Sequence, residues 1–182
     1  MSVDDRSDAE IVAAVLNGDD NAYGVLVARY QSAYLRYATR MLNSQDDAED
    51  ALQSAFIRAY RNLASCRDPK RFGSWLQKIV VNECRTVGAR RTRRELRFDS
   101  RPATLDGLPA KGARPEDGLV EEIQSALHRL PTDQREAFLL RYVEDLGYEE
   151  MSELTGAGIS ALKMRVKRAC EAMRVSLEGV VS

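Results

Sequence analysis

The sequence predicts an all-α protein. Two small helical domains, residues 1–95 and 119–182, are joined by a flexible linker over 96–118. Three observations carry this expectation. Apolar residues recur at i, i+3, i+4 and i+7 in one segment after another, which marks amphipathic helices. No segment keeps the alternation of a half-buried strand. Between the halves, Pro102, Pro109 and Pro115 alternate with Gly107, Gly112 and Gly118, and periodicity stops. Structureless runs of that length are uncommon inside a compact domain, so this one reads as a tether.

The first half opens with a short helix, Asp8 to Leu16, ended by Asn17-Gly18-Asp19. A longer helix follows from Asn21 to about Met41. Its apolar face holds Tyr23, Leu26, Val27, Tyr30, Tyr34, Leu35, Ala38 and Leu42, and Asn43-Ser44 breaks it. Asp46 to Leu63 is the best-specified helix of the chain. Ala48, Ala51, Leu52, Ala55, Phe56, Ala59, Tyr60 and Leu63 keep one stripe over four turns. Ser44 is placed to cap it. Asp46, Asp47, Glu49 and Asp50 lie in its first turn and Arg58 and Arg61 in its last, as the helix dipole favours. Its other face, Asp46, Asp47, Glu49, Asp50, Gln53, Ser54 and Ile57, is either solvated surface or a docking surface.

A loop from Ala64 to Arg71, marked by Asp68-Pro69, carries Arg67, Lys70 and Arg71. The helix from Phe72 to Val87 turns Phe72, Trp75, Leu76, Ile79, Val80 and Val87 inward. It shows Ser74, Gln77, Lys78, Asn82 and Arg85 outward. Gly88 loosens it, and Arg90, Arg91, Arg93 and Arg94 follow. Past the linker come helices at Leu119–Leu130, ended by Pro131, and at Asp133–Val143. A short helix from Tyr148 to Leu154, a turn at Thr155-Gly156-Ala157-Gly158 and a last helix from Ile159 to about Leu177 complete the chain. The last helix turns Ile159, Leu162, Val166, Ala169 and Met173 inward. Ser160, Lys163, Met164, Arg165, Lys167 and Arg168 face outward. A plain helical hairpin shares this spacing, but the basic outer face favours a DNA-binding helix-turn-helix.

Charge is segregated although the net value is −1. Residues 1–57 hold ten acidic and four basic side chains, whereas residues 58–94 hold two acidic and eleven basic. A basic block of that density suits nucleic acid, with a solvated arginine face as the alternative. The three cysteines, Cys66, Cys84 and Cys170, are far apart, and His128 is the single histidine. These argue against a zinc site and a disulfide framework, and a reducing cytosol fits best. Cys84 and Cys170 read as small buried hydrophobes. No apolar run approaches the roughly 20 residues of a membrane span. The carboxylate pairs Asp46-Asp47, Glu144-Asp145 and Glu149-Glu150 lie on polar faces or helix starts, not in an apolar cleft. Gly156-Ala157-Gly158 follows a helix, not a strand, so it does not fit a dinucleotide loop. The chain therefore reads as a non-enzyme without cofactor.

The order of parts resembles a bacterial sigma factor of the sigma-70 family, in its short extracytoplasmic-function form. The resemblance rests on Leu16-Asn17-Gly18-Asp19, on Asp47-Ala48-Glu49-Asp50 with Gln53 and Phe56, and on Phe72-x-x-Trp75-Leu76 with Ile79 and Asn82. In the second half it rests on Leu130-Pro131, Gln134-Arg135-Glu136, Leu140-Arg141-Tyr142, Tyr148-Glu149-Glu150 and Lys163-x-Arg165. It implies that residues 1–95 dock on core RNA polymerase and recognise and melt the −10 promoter element, and that residues 119–182 read the −35 element. Core docking, on the β and β′ subunits, then falls to Asp46, Asp47, Glu49, Asp50, Gln53 and Ser54, with the acidic face on the β′ coiled coil. The −10 element falls to Arg67, Lys70, Arg71, Phe72, Ser74, Gln77, Lys78, Asn82 and Arg85. Phe72 and the cations would offer stacking and charge to single-stranded bases; Trp75 belongs to the core. The −35 element falls to Ser160, Lys163, Met164, Lys167 and Arg168, with Arg165 on phosphate. An anti-sigma partner and a cytoplasmic location complete the picture.

Three positions depart from the family pattern. Gly158 stands where a capping Ser is common, Thr155 where a Leu packs, and Met164 where a small polar residue is usual. The rival reading is a stand-alone helix-turn-helix regulator; a third is an interaction module that sequesters other factors. A regulator needs neither an acidic docking face nor a basic melting loop.

Overall fold

The computed structural model describes residues 5–98 and 115–178, with side chains for 5–94 and 118–178. Among the described residues all regular structure is helical: α1 Asp8–Leu16, α2 Tyr23–Leu42, α3 Gln45–Arg61, α4 Phe72–Phe98, α5 Pro115–Arg129, α6 Thr132–Tyr142, α7 Tyr148–Thr155 and α8 Ile159–Leu177. Backbone contacts divide the chain into two units, Met1–Val87 and Gly88–Ser182. None of the described helices is long and apolar enough to cross a membrane.

In the first unit α1 begins with a reciprocal cap. The Glu10 amide donates to Ser7 Oγ, and the Ser7 amide donates to the Glu10 carboxylate at 2.7 Å. α2 and α3 form the main packing pair. The reason is the alanine stripe of α3: Ala48, Ala51, Ala55 and Ala59 are all fully buried, and small side chains let helix axes approach closely. Leu26, Tyr34, Tyr37, Ala38 and Met41 fill the α2 side. α2 ends at Asn43, whose left-handed backbone (φ 55°) suits asparagine. Ser44 then caps α3 by accepting from the Asp47 amide. Only Asp46 and Asp47 occupy the first turn of α3; Glu49 and Asp50 come one turn later.

Several expectations shift. Residues 64–71 are not plain loop: Leu63–Ser65 and Pro69–Arg71 are single 3₁₀ turns, the second capped by Asp68, whose carboxylate accepts from the Lys70 amide. α4 runs past Gly88 to Phe98, and α5 starts at Pro115, so both ends of the expected linker are helical; residues 99–114 lie outside the described residues. Tyr60 is exposed, not buried, and its hydroxyl donates to Asp20. Cys84 is buried as expected, but Cys170 is half-exposed, its thiol 3.5 Å from the Tyr142 hydroxyl.

The second unit is built around α8, against which α5, α6 and α7 all pack. Leu162, Val166, Ala169 and Met173 of α8 meet Ala126, Leu127, Leu139, Leu140 and Met151 in its core. Arg135 on α6 ties the end of α5: its guanidinium donates to the carbonyls of Leu127, His128 and Leu130 at 2.7–3.1 Å. A cation there satisfies orphan carbonyls and complements the dipole. α7 ends in a left-handed Gly156 (φ 73°), where a side chain would be strained.

Candidate polymerase and nucleic-acid interfaces

The exposed face of α3 is acidic, as expected. Asp46, Glu49, Asp50, Gln53 and Ser54 are exposed and Asp47 is half-buried. Among them Glu49 accepts from the Gln45 amide nitrogen at 2.7 Å. Beside this face lies a feature the sequence reading missed, an open groove of about 560 Å³ between α2 and α3. Its floor is Val27, Leu35, Leu52, Phe56 and Ile57, and Glu49 and Gln53 stand on its rim. Ile57, grouped with the polar face from its spacing, supplies the clue: it is 46% exposed.

The cations Arg67, Lys70 and Arg71 are exposed around the Pro69–Arg71 turn. Along α4, Ser74, Lys78 and Asn82 are exposed, and Gln77 and Arg85 are half-buried. Phe72 departs from its expected role. Its side chain is fully buried, 5.7 Å from the Tyr30 ring and from Trp75. A ring packed on both sides has no face to offer a base, so Phe72 is a core anchor that fixes where α4 begins. Tyr34 adds to this anchor, donating to the Gly73 carbonyl at 2.7 Å. Tyr30 donates to the Asp8 carboxylate, which also pairs with Arg29, and so α1 and the start of α4 are tied to α2. A buried carboxylate was also missed. Glu83, 6% exposed, faces Arg58 Nη1 at 3.0 Å.

On α8, Ser160, Lys163, Met164, Lys167 and Arg168 are exposed and Arg165 is half-buried. Gly158 caps the helix without a side-chain bond. Arg165 pairs with Asp133 of α6 at 3.1 Å, and Lys163 Nζ sits over the Tyr148 ring of α7, 5.6 Å from its centroid. Lys163 thus braces α8 against α7 and Arg165 braces it against α6, roles that spacing alone did not reveal. Half-buried His128 has its pKa lowered to about 4, by burial first and then by the Arg135 charge. Burial likewise lowers Arg135.

Comparison with known proteins follows these two halves. The family description Sigma-70 region 2 matches residues 26–95, and Sigma-70, region 4 matches residues 120–173. The ECF RNA polymerase sigma factor SigW of Bacillus subtilis is 31% identical, over 93% of this chain and 96% of its own. The ECF RNA polymerase sigma-E factor of Escherichia coli K12 is 32% identical, over 96% of each. Among solved structures, CnrH in complex with the cytosolic domain of CnrY superposes with a TM-score of 0.67 at 24% identity, covering 96% of this chain and 99% of that one. The sigma factor RpoE of Bartonella quintana, solved with the anti-sigma factor NepR, gives 0.66 at 25% identity, covering 84% of this chain and 94% of that one. With both regions matched in order and relatives this similar over nearly the whole length, the chain belongs to the extracytoplasmic-function group of the sigma-70 family of RNA polymerase sigma factors.

Proposed function

We infer that this sigma factor directs core RNA polymerase to its promoters and helps open them, with no catalytic chemistry of its own, in the cytoplasm. The observation that carries the reading is the division of charge between helices of one chain. The first unit presents an acidic face on α3 and exposed cations around Pro69–Arg71, and the second presents a basic face on α8. An apolar groove with Glu49 at its edge, beside the acidic face of α3, suits a helical partner with basic and apolar side chains, which supports α3 as the polymerase-docking face. Exposed arginine and lysine beside the polar side of α4 support −10 strand capture by Arg67, Lys70, Arg71, Ser74, Lys78 and Asn82. A basic helix after a glycine-ended α7 supports −35 recognition by α8. The functional boundaries that fit best are residues 1–98 for docking and −10 work and 115–182 for −35 work. The Bartonella quintana relative was solved with an anti-sigma factor, and a partner of that class is proposed here too.

Run-off transcription with core polymerase, with and without the protein, tests the reading. Promoter-specific transcripts that require the protein are expected. If instead the protein binds duplex promoter DNA tightly alone and adds nothing to core polymerase, it is a stand-alone helix-turn-helix regulator.

A further inference from the structure

The exposed cations of α8 are not equivalent. Lys163 lies over the Tyr148 ring, Arg165 pairs with Asp133, and Lys167 Nζ is 3.9 Å from Glu171. Ser160, Met164 and Arg168 run among them at i, i+4 and i+8, forming one ridge of the helix. All three are exposed, Met164 by 49%. Among the described residues, no hydrogen bond, ion pair or ring contact engages these three side chains. A hydroxyl, a thioether and a guanidinium are thus left with their chemistry unspent on the side that faces away from the α6 and α7 packing.

We propose that this ridge sets the −35 preference, and that Met164 reads the 5-methyl group of a thymine in the major groove. This rests on the reading of α8 as the −35 helix. A thioether is a poor hydrogen-bond partner, and the 5-methyl of thymine is the apolar feature of the major-groove edge. Against any other base edge, Met164 would cover donors or acceptors without replacing their bonds, which is a penalty. Its unbranched chain adjusts to the depth of the methyl. Arg168 stands one turn further on, and its fork matches guanine O6 and N7. Four residues of helix rise about 6 Å, so the guanine lies further along the groove than the thymine. Lys163 and Arg165, held by their own partners, would contribute charge toward phosphate instead.

The test is run-off transcription by the complete holoenzyme on promoters in which each −35 thymine, on either strand, is replaced singly by deoxyuridine. That change removes the methyl group and nothing else. One position is expected to lose activity about fourfold, the worth of one buried methyl. Met164→Ala should make thymine and uracil equivalent there, and Met164→Leu should keep the discrimination. Met164 is exposed, so neither change threatens the fold. If the wild-type protein treats thymine and uracil alike at every position while a scrambled −35 element silences transcription, the Met164 assignment is wrong and the −35 reading stands. If scrambling the element changes nothing, the −35 reading of α8 falls as well.

Discussion

A single side chain can make the whole second unit sensitive to acid. His128 has its pKa lowered to about 4, chiefly because burial disfavours the imidazolium and then because the Arg135 charge repels it. An unfolded chain titrates histidine near 6.5. Above that pH both states are neutral, and the stability contributed by the neutral ring is fully present. As pH falls from about 6.5 toward 4, the unfolded state takes up the proton first, and that stability is lost. Urea midpoints followed by far-UV circular dichroism should therefore decline between pH 6.5 and 5, above the range in which most carboxylates titrate. His128→Gln should flatten that decline; an unchanged slope would assign it to other groups. Glu83 teaches a different lesson at this scale. It follows Leu76 by seven residues and Val80 by three, so it lies on the inward stripe of α4 and was legible as a buried carboxylate. Its partner Arg58, on another helix, was not legible, because pairing across helices depends on packing.

At the scale of elements, helix existence was readable and element ends were less so. Ser44, Asn43 and Gly156 act at the boundaries their residue types suggest. The extension of α4 was hidden because Gly88 looked like a stop. A glycine costs only about 1 kcal/mol in a helix, and the arginines that follow are good helix formers. The helix therefore continues, with Thr92 Oγ1 donating back to the Gly88 carbonyl. Placement of the α4 start was equally hidden, since it depends on Tyr30 and Tyr34 some forty residues earlier. A β-carbon at Gly73 would stand 2.9 Å from Tyr30 Oη, and that hydroxyl is held by Asp8. Gly73→Ala should cost about 1–3 kcal/mol, the range for overpacking. Tyr30→Phe removes the obstructing atom, so the double variant should be less destabilised than the two single effects added together. Denaturant unfolding of the four proteins measures the coupling, and strict additivity would exclude the clash.

Over the whole molecule, the segregation of charge was the most legible functional feature, because it needs only counting. The groove beside α3 was invisible, since Val27 and Leu35 on one helix and Leu52, Phe56 and Ile57 on another meet only after folding. Burial of Phe72 reversed one assigned role, because an aromatic beside a basic turn reads alike whether it stacks on bases or on its own core. The acidic face carries the prediction at this scale. Changing Asp47, Glu49 and Asp50 together to lysine should weaken binding to core polymerase, while helix content stays nearly constant. Glu49 and Asp50 are exposed and Asp47 is half-buried, and surface charges of this kind add less to stability than to complementarity. Wild-type affinity should also fall more steeply with salt than that of the variant, because screening removes an attraction only the wild type has. Competition binding at two ionic strengths measures both, and equal affinity of the two proteins would remove α3 from the docking surface.

The packing of Phe72 against Trp75 has an optical consequence. Trp75 is the only tryptophan in the chain, is half-buried, and sits one turn into α4, directly after the basic Pro69–Arg71 turn. Its fluorescence therefore reports on the surroundings of the Pro69–Arg71 turn without labelling, and no second indole of this chain overlaps it. Single-stranded −10 DNA bound along Arg67, Lys70 and Arg71 should alter the emission of the holoenzyme, once the polymerase background is subtracted, whereas a duplex carrying the −35 element alone should leave it unchanged. A shift with both DNAs would mean that the indole senses binding in general, and a shift with neither would place the melted strand away from the start of α4.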